Sequence, residues 1–240
     1  MYLAVLLMAL AAGTLSGVVG TGSSLILLPV LVHVFGPKEA IPIMAIAAII
    51  GNLARAGIWW RAIDWRATFA YSILGIPAAA LGARTLLMLP TWVVDLCLGL
   101  FFWLMLPSRQ YLKKAEKQMS ITQLSLSGGA IGFLTGLVLS TGPLSVPAFT
   151  AYGLSGGAFL GTEAASALLL YASKISTFTA QNALSVSVAF QGLLVGGGIM
   201  LGTIISKPLV VKLSSKAYSR VINSLLFISG ATLIASAFIQ

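Results

Sequence analysis

The sequence predicts an all-α polytopic membrane protein built as two inverted repeats, each a broken-helix hairpin followed by three transmembrane helices. Three observations predict it. Apolar residues make up 58% of the chain and charged residues 8%, with a mean hydropathy of +1.02; a soluble domain is roughly a quarter charged. Two apolar runs are broken by Gly-, Ser- and Thr-rich segments, at 17–29 and 136–147. The basic connectors share one side of a bilayer only if the second half is inverted.

At about 20 residues per span, a chain of 240 residues leaves little loop and no room for an extramembrane domain. The predicted organisation is a first transmembrane repeat over 1–107, a basic cytoplasmic linker over 108–120, and a second, inverted repeat over 121–240. The net charge of +9 reads as the basic bias of cytoplasmic loops, not as a nucleic-acid surface. The single Cys97 excludes an intramolecular disulfide and a multi-Cys metal site. No metal, cofactor or catalytic group is expected. Met1-Tyr-Leu-Ala-Val has no basic n-region and reads as the start of the first membrane element.

Residues 2–19 are apolar and helical in composition. The run breaks at Gly20-Thr-Gly-Ser-Ser24 and resumes over 25–35. Both pieces are short for a span, so together they predict a re-entrant hairpin or two short broken spans. Pro42 suits the first turn of the next helix, where its missing N–H costs little. That helix runs to about 58 and carries Asn52 and Arg55 near the depth equivalent to the polar residues of its second-half counterpart, with an interface anchor as the alternative for Arg55; a basic, Trp-rich connector follows from Arg55 to Arg66. Spans follow over 67–89 and 92–106, separated by the turn at Leu89-Pro90. The second half repeats the plan: a helix over 122–139, a break at Ser140-Thr-Gly-Pro143, a short piece to Gly153, then spans over 157–179, 184–206 and 216–238.

The halves also match in residues. Gly13-x-Leu-x-Gly17 pairs with Gly132-x-Leu-x-Gly136, Thr21-Gly22 with Thr141-Gly142, and Pro29 with Pro147. The basic connectors are 55–66, 108–120 and 207–220. They share a side only if each broken segment returns to the side it entered from. Each half then crosses an odd number of times, the halves are inverted, and both termini lie outside the cytoplasm. Inverted repeats with interrupted helices are a recurrent architecture of secondary transporters.

The breaks carry the predicted chemistry. Irregular backbone survives in a bilayer only where protein or water satisfies it. A helix starting after a break presents unpaired N–H groups and a positive dipole end, a ready seat for a small oxyanion. Thr21, Gly22, Ser23, Ser24, Ser140, Thr141 and Gly142 are therefore the candidate anion ligands, with Ser145 a further hydroxyl. Gly13, Gly17, Gly132 and Gly136 read as close-packing residues. Ionisable residues inside a span are functional candidates. Lys174 and Asn52 are expected to complete the pocket, and Glu163 is the candidate for proton coupling. Glu163 and Lys174 share a helix face but stand about 16 Å apart at 1.5 Å per residue, too far to pair. Lone His33 and Arg84 read as interface residues.

The pattern Gly17-x-x-Gly-x-Gly-Ser-Ser24, its Pro29, the later Ile63-Asp-Trp-Arg66 and the repeated second half resemble the TauE/SafE family of sulfite and organosulfonate exporters, also called the toluene-sulfonate uptake permease family. The likeness covers almost the whole chain. Family members often carry Gly-x-Gly-Gly-Gly at the break, where this chain has Ser23 and Ser24 in place of two glycines. The resemblance implies a secondary transporter of small sulfur-containing oxyanions (sulfite, sulfoacetate or other sulfonates), exporting them by alternating access across the plasma (inner) membrane of a prokaryote, as a monomer or an oligomer. An anion channel, or a transporter of another small carboxylate or inorganic anion, is the alternative.

Overall fold

A computed structural model of the chain describes residues 2–19, 23–90, 118–138 and 142–206, with scattered helical positions within 92–104 and 224–238. In order, the elements are α1 Tyr2–Val19, α2 Ser23–Phe35, α3 Pro37–Ile58, a 3-10 turn Trp60–Ala62, α4 Trp65–Met88, α5 Ile121–Val138, α6 Gly142–Ala151, α7 Gly156–Ala180 and α8 Val186–Ser206. There is no strand among the described residues.

The corners follow local chemistry. Between α2 and α3, Gly36 adopts φ 76°, a left-handed conformation that costs glycine nothing because it lacks a Cβ. Its N–H still donates to the Val32 carbonyl at 2.9 Å, closing α2. Pro37 takes the first position of α3, so Pro42 falls in the second turn, one turn deeper than the sequence suggested. At the start of α4 the Asp64 carboxylate accepts from the Ala67 N–H at 3.0 Å, an N-cap that satisfies one of the orphan donors of a helix start. The break in the first half is narrower than its composition implies: Ser23 and Ser24 are already the first turn of α2.

The helices pack in register-matched pairs. Gly13 and Gly17 of α1 lie against Ile199, Thr203 and Ser206 of α8, and Gly132 and Gly136 of α5 lie against Gly75, Ala79 and Gly82 of α4. Residue numbers rise together in both contacts, so each pair runs parallel. A Cβ at any of these four glycines would collide with the facing helix. Close approach of this kind drives association between membrane helices, where apolar burial alone gives nothing. The same reading makes α3 parallel to α8, through Gly192 against Ile46 and Gly196 against Ile50. It also makes α4 parallel to α7, through Gly75 against Leu170 and a 2.8 Å hydrogen bond from Ser173 to the Ile76 carbonyl.

One face of the bundle gathers the end of α3 with the starts of α4 and α7. Trp59 lies on Gly157 and Gly161, and the Asp64 N–H donates to Thr162 Oγ1 at 2.9 Å. The starts of α3 and α8 meet the ends of α4 and α7 at the opposite face, around a shared cavity. Helices α3 and α7 therefore cross the molecule in opposite directions, in contact with each other.

Among the described residues, three helices are long and apolar enough to cross a membrane, Glu39–Ile58, Trp65–Met88 and Val186–Ser206, and α1 and α5 contain shorter apolar helices. Outward-facing Phe69, Ile73 and Leu81 on α4 and Phe190, Leu193 and Leu201 on α8 are exposed, a surface suited to lipid rather than water. Helix α7 has 25 residues, about 37 Å at 1.5 Å per residue, and holds Glu163 and Lys174 inside its length.

Candidate functional site

Helices α3 and α7 each carry polar residues on the side they turn toward the molecule's centre. On α3, Asn52 and Arg55 are separated by three positions, which places them on one helix face. Both are buried. Asn52 donates its amide to the Ala48 carbonyl at 2.8 Å and accepts from Arg55 Nη2 at 2.5 Å. Arg55 also forms an ion pair and hydrogen bond with Glu163 Oε2 of α7. The other carboxylate oxygen, Oε1, accepts from Ser145 of α6 at 3.1 Å. A buried chain of Asn52, Arg55, Glu163 and Ser145 thus ties three helices together. Charges withdrawn from water are tolerated when paired and hydrogen-bonded in this way.

This chain lines one wall of a central cavity of about 50 Å³. A water needs roughly 10–15 Å³ on that measure, so the space suits a few waters or one small oxyanion. The same cavity is lined by Ser23 and Ser24, the first turn of α2, and by Ser16 near the end of α1. The N–H groups of that first turn and the positive end of its dipole therefore open toward the same space. Thr135, Tyr71 and Tyr171 complete the polar lining, and Ile199, Leu170 and Phe149 the apolar part.

Of the residues expected from the sequence, Ser23, Ser24 and Asn52 meet around this cavity, and Glu163 lines it as the partner of Arg55. Thr21, Gly22, Ser140 and Thr141 lie outside the described residues. Gly142 begins α6, the helix that contributes Ser145. Lys174 is fully buried but does not line the cavity. Its Nζ donates to the Thr135 carbonyl at 2.9 Å and lies 5.4 Å from the centre of the Phe178 ring. As expected from spacing, it does not pair with Glu163.

Arg55 is the lining residue that sequence reasoning left open between the polar depth it shares with Asn52 and an interface anchor. Its place near the end of α3, next to a Trp-rich connector, suggested an interface anchor; in the structure it is buried in the cavity wall. The signal that could have found it was the three-residue spacing from Asn52. Tyr71, Thr135 and Tyr171 carried no comparable signal, since a lone hydroxyl in an apolar helix is commonplace. Arg84 is exposed, as an interface residue should be, and the side chain of His33 lies outside the described residues. Among the described residues, no group of His, Cys, Asp and Glu could hold a metal ion.

Comparison with known proteins adds one finding: the family model described as Sulfite exporter TauE/SafE matches residues 5–233. No curated protein and no solved structure matches the chain.

Proposed function

Because the chain belongs to the TauE/SafE sulfite exporter family, a family of multi-pass membrane transporters, we propose that it carries a small sulfur oxyanion, sulfite or a sulfonate, through the central cavity. The observation that carries this reading is that a buried arginine and a helix start line one oxyanion-sized space. A guanidinium presents a planar fork of donors matched to oxyanion geometry, and the N–H groups at the start of α2 supply further donors. Ser23, Ser24, Asn52 and Ser145 add neutral donors. Thr21, Gly22, Ser140, Thr141 and Gly142, which flank the two helix starts in sequence, join them in this reading.

The two halves, 1–107 and 121–240, act as inverted repeats about this cavity, with 108–120 joining them. What supports this is the pattern of contacts. Exchanging α1 with α5, α3 with α7 and α4 with α8 converts the parallel α1–α8 contact into the parallel α5–α4 contact. It converts the α3–α8 contact into the α7–α4 contact and returns the antiparallel α3–α7 contact to itself. The positive-inside rule puts the Arg61- and Arg66-bearing end of α3–α4 in the cytoplasm of a prokaryote and the start of α3 outside. The anion then leaves by alternating access. Glu163 couples a proton to it: protonation weakens the hold of Glu163 on Arg55 and frees the guanidinium for the substrate.

The test is direct binding of sulfite and methanesulfonate to purified protein, with an Arg55→Met variant beside it. Losing a hydrogen-bonded charge contact of about 1.5–3 kcal/mol lowers affinity roughly 10- to 100-fold. A wild-type protein that binds neither anion, or a variant that binds them equally well, overturns the reading.

A further inference from the structure

A second, larger cavity of about 390 Å³ opens where the starts of α3 and α8 meet the ends of α4 and α7. Its lining includes Phe178, Asn182 and Ser185 on the α7–α8 side and Glu39, Leu86 and Val94 across from them. Lys174 separates this space from the central cavity. Its ammonium donates to the carbonyl of Thr135, a lining residue of the central cavity, and sits over the ring of Phe178, a lining residue of the larger one. Lys174 lines neither cavity and is fully buried. It is bound to one neutral carbonyl and an aromatic face, with Leu170 and Phe178 one turn away on either side along α7. Among the described residues no carboxylate pairs with it, and a buried cation of this kind is costly in a membrane helix and needs a purpose that packing does not supply.

The sequence gives Lys174 a counterpart. Gly13 and Gly132, Gly17 and Gly136, Arg55 and Lys174, and Trp59 and Phe178 all stand at the same separation along the chain. The first two pairs make equivalent helix contacts. The last two place a cation and an aromatic residue four positions apart on α3 and again on α7. Arg55 and Trp59 lie toward the face that holds the starts of α4 and α7; Lys174 and Phe178 lie toward the opposite face. A cation and an aromatic ring thus stand toward each face of the bundle, Arg55 with Trp59 at one and Lys174 with Phe178 at the other.

We propose that the larger cavity is the outer vestibule of the transport path, and that Lys174 with Phe178 is the gate through which the anion passes into it from the central cavity. This rests on the transport reading above. In the state seen here the gate is shut, with Lys174 held by Thr135 and the ring of Phe178 between the two spaces. When it opens, Lys174 leaves the Thr135 carbonyl and meets the anion as Arg55 releases it. The exchange of one cation for the other lets the anion cross an apolar layer without being stripped of every donor. The vestibule is far larger than the central site because the anion regains its water there.

The experiment pairs binding with flux. Purified Lys174→Met protein is compared with wild type for sulfite binding in detergent and for sulfite efflux from liposomes. The expected result is affinity within about threefold of wild type and efflux at least tenfold slower, with Lys174→Arg restoring most of the rate. Efflux at the wild-type rate, or an affinity loss as large as the flux loss, overturns the gate. Should Lys174→Met fail to fold, Phe178→Ala decides the matter. In a chain with Cys97→Ser and Ala167→Cys, removing the ring speeds labelling of the central cavity by a membrane-impermeant thiol reagent added outside by about tenfold; an unchanged rate overturns the gate. Ser185→Cys in the Cys97→Ser background is labelled from outside intact cells, and labelling only after permeabilisation overturns the vestibule. A wild type that binds no sulfite defeats the transport reading instead, and labelling at Ser185 reports on the vestibule independently of it.

Discussion

Glu163 accepts from both Arg55 and Ser145, so replacing it with Gln keeps its shape and removes the charge that Arg55 faces. Taking one partner from a buried ion pair costs about 3–5 kcal/mol, because the other charge remains buried without it. The Glu163→Gln protein is therefore expected to melt several degrees below wild type in buffer free of oxyanions. Sulfite supplies a negative partner to Arg55, so it should raise the melting temperature of the variant more than that of wild type. Equal shifts in the two proteins would mean that the anion does not meet Arg55. The importance of Glu163 could be read in the sequence because a carboxylate inside a span is rare. Its partner could not. Arg55 lies 108 positions away, and only the antiparallel contact of α3 with α7 brings them together. Lys174 was legible as a buried cation for the same reason as Glu163, while its place behind the cavity, on Thr135, was set by packing of α5 against α7.

At the scale of elements, composition located the helices of the described residues, and it erred at the breaks. Glycine and serine both weaken helices in general, which suggested that Gly20 through Ser24 were all outside helix. In the structure Ser23 and Ser24 open α2 instead, in the first turn where serine is at ease. The paired glycines on α1 and α5 were legible as packing residues, and their contacts explain why. A valine at Gly132 would collide with the backbone of Gly75, and one at Gly13 with the backbone of Ile199. Neither obstacle is a flexible side-chain end, so the helices must separate. Gly132→Val and Gly13→Val are each expected to cost at least the 1–3 kcal/mol typical of overpacking, seen as a lowered melting temperature and poor yield of folded protein. Gly57→Ala on α3, where a Cβ meets nothing within 4 Å, serves as the control and should leave stability unchanged. If Gly132→Val and Gly13→Val are as stable as that control, these contacts are not holding the bundle.

For the whole molecule, the question is whether both sides of the central cavity ever open at once. A channel needs a continuous path; a carrier needs two barriers that alternate. In the proposed gate Lys174 sits over Phe178 at one face, and toward the other face Tyr71, a lining residue of the cavity, packs on Phe149 at 4.8 Å between ring centres. In the transport reading proposed above, these two aromatic groups are the barriers that open in turn, and a channel would have to dismantle both at once. In the proposed repeat the α1–α8 and α5–α4 contacts correspond, and exchange between such corresponding packings is the kind of bistable change by which a small shift at a site becomes a switch. The expected behaviour is counterflow. Liposomes loaded with unlabelled sulfite should take up labelled sulfite transiently above its outside concentration, with a rate that saturates as outside sulfite rises. Phe149→Ala should weaken the barrier opposite the outer gate, reducing the peak of counterflow and adding an anion leak. Flux that rises linearly with sulfite and shows no counterflow in the wild type would establish a channel. That result would leave the cavity and its Arg55 in place but remove any need for the two barriers to open in turn.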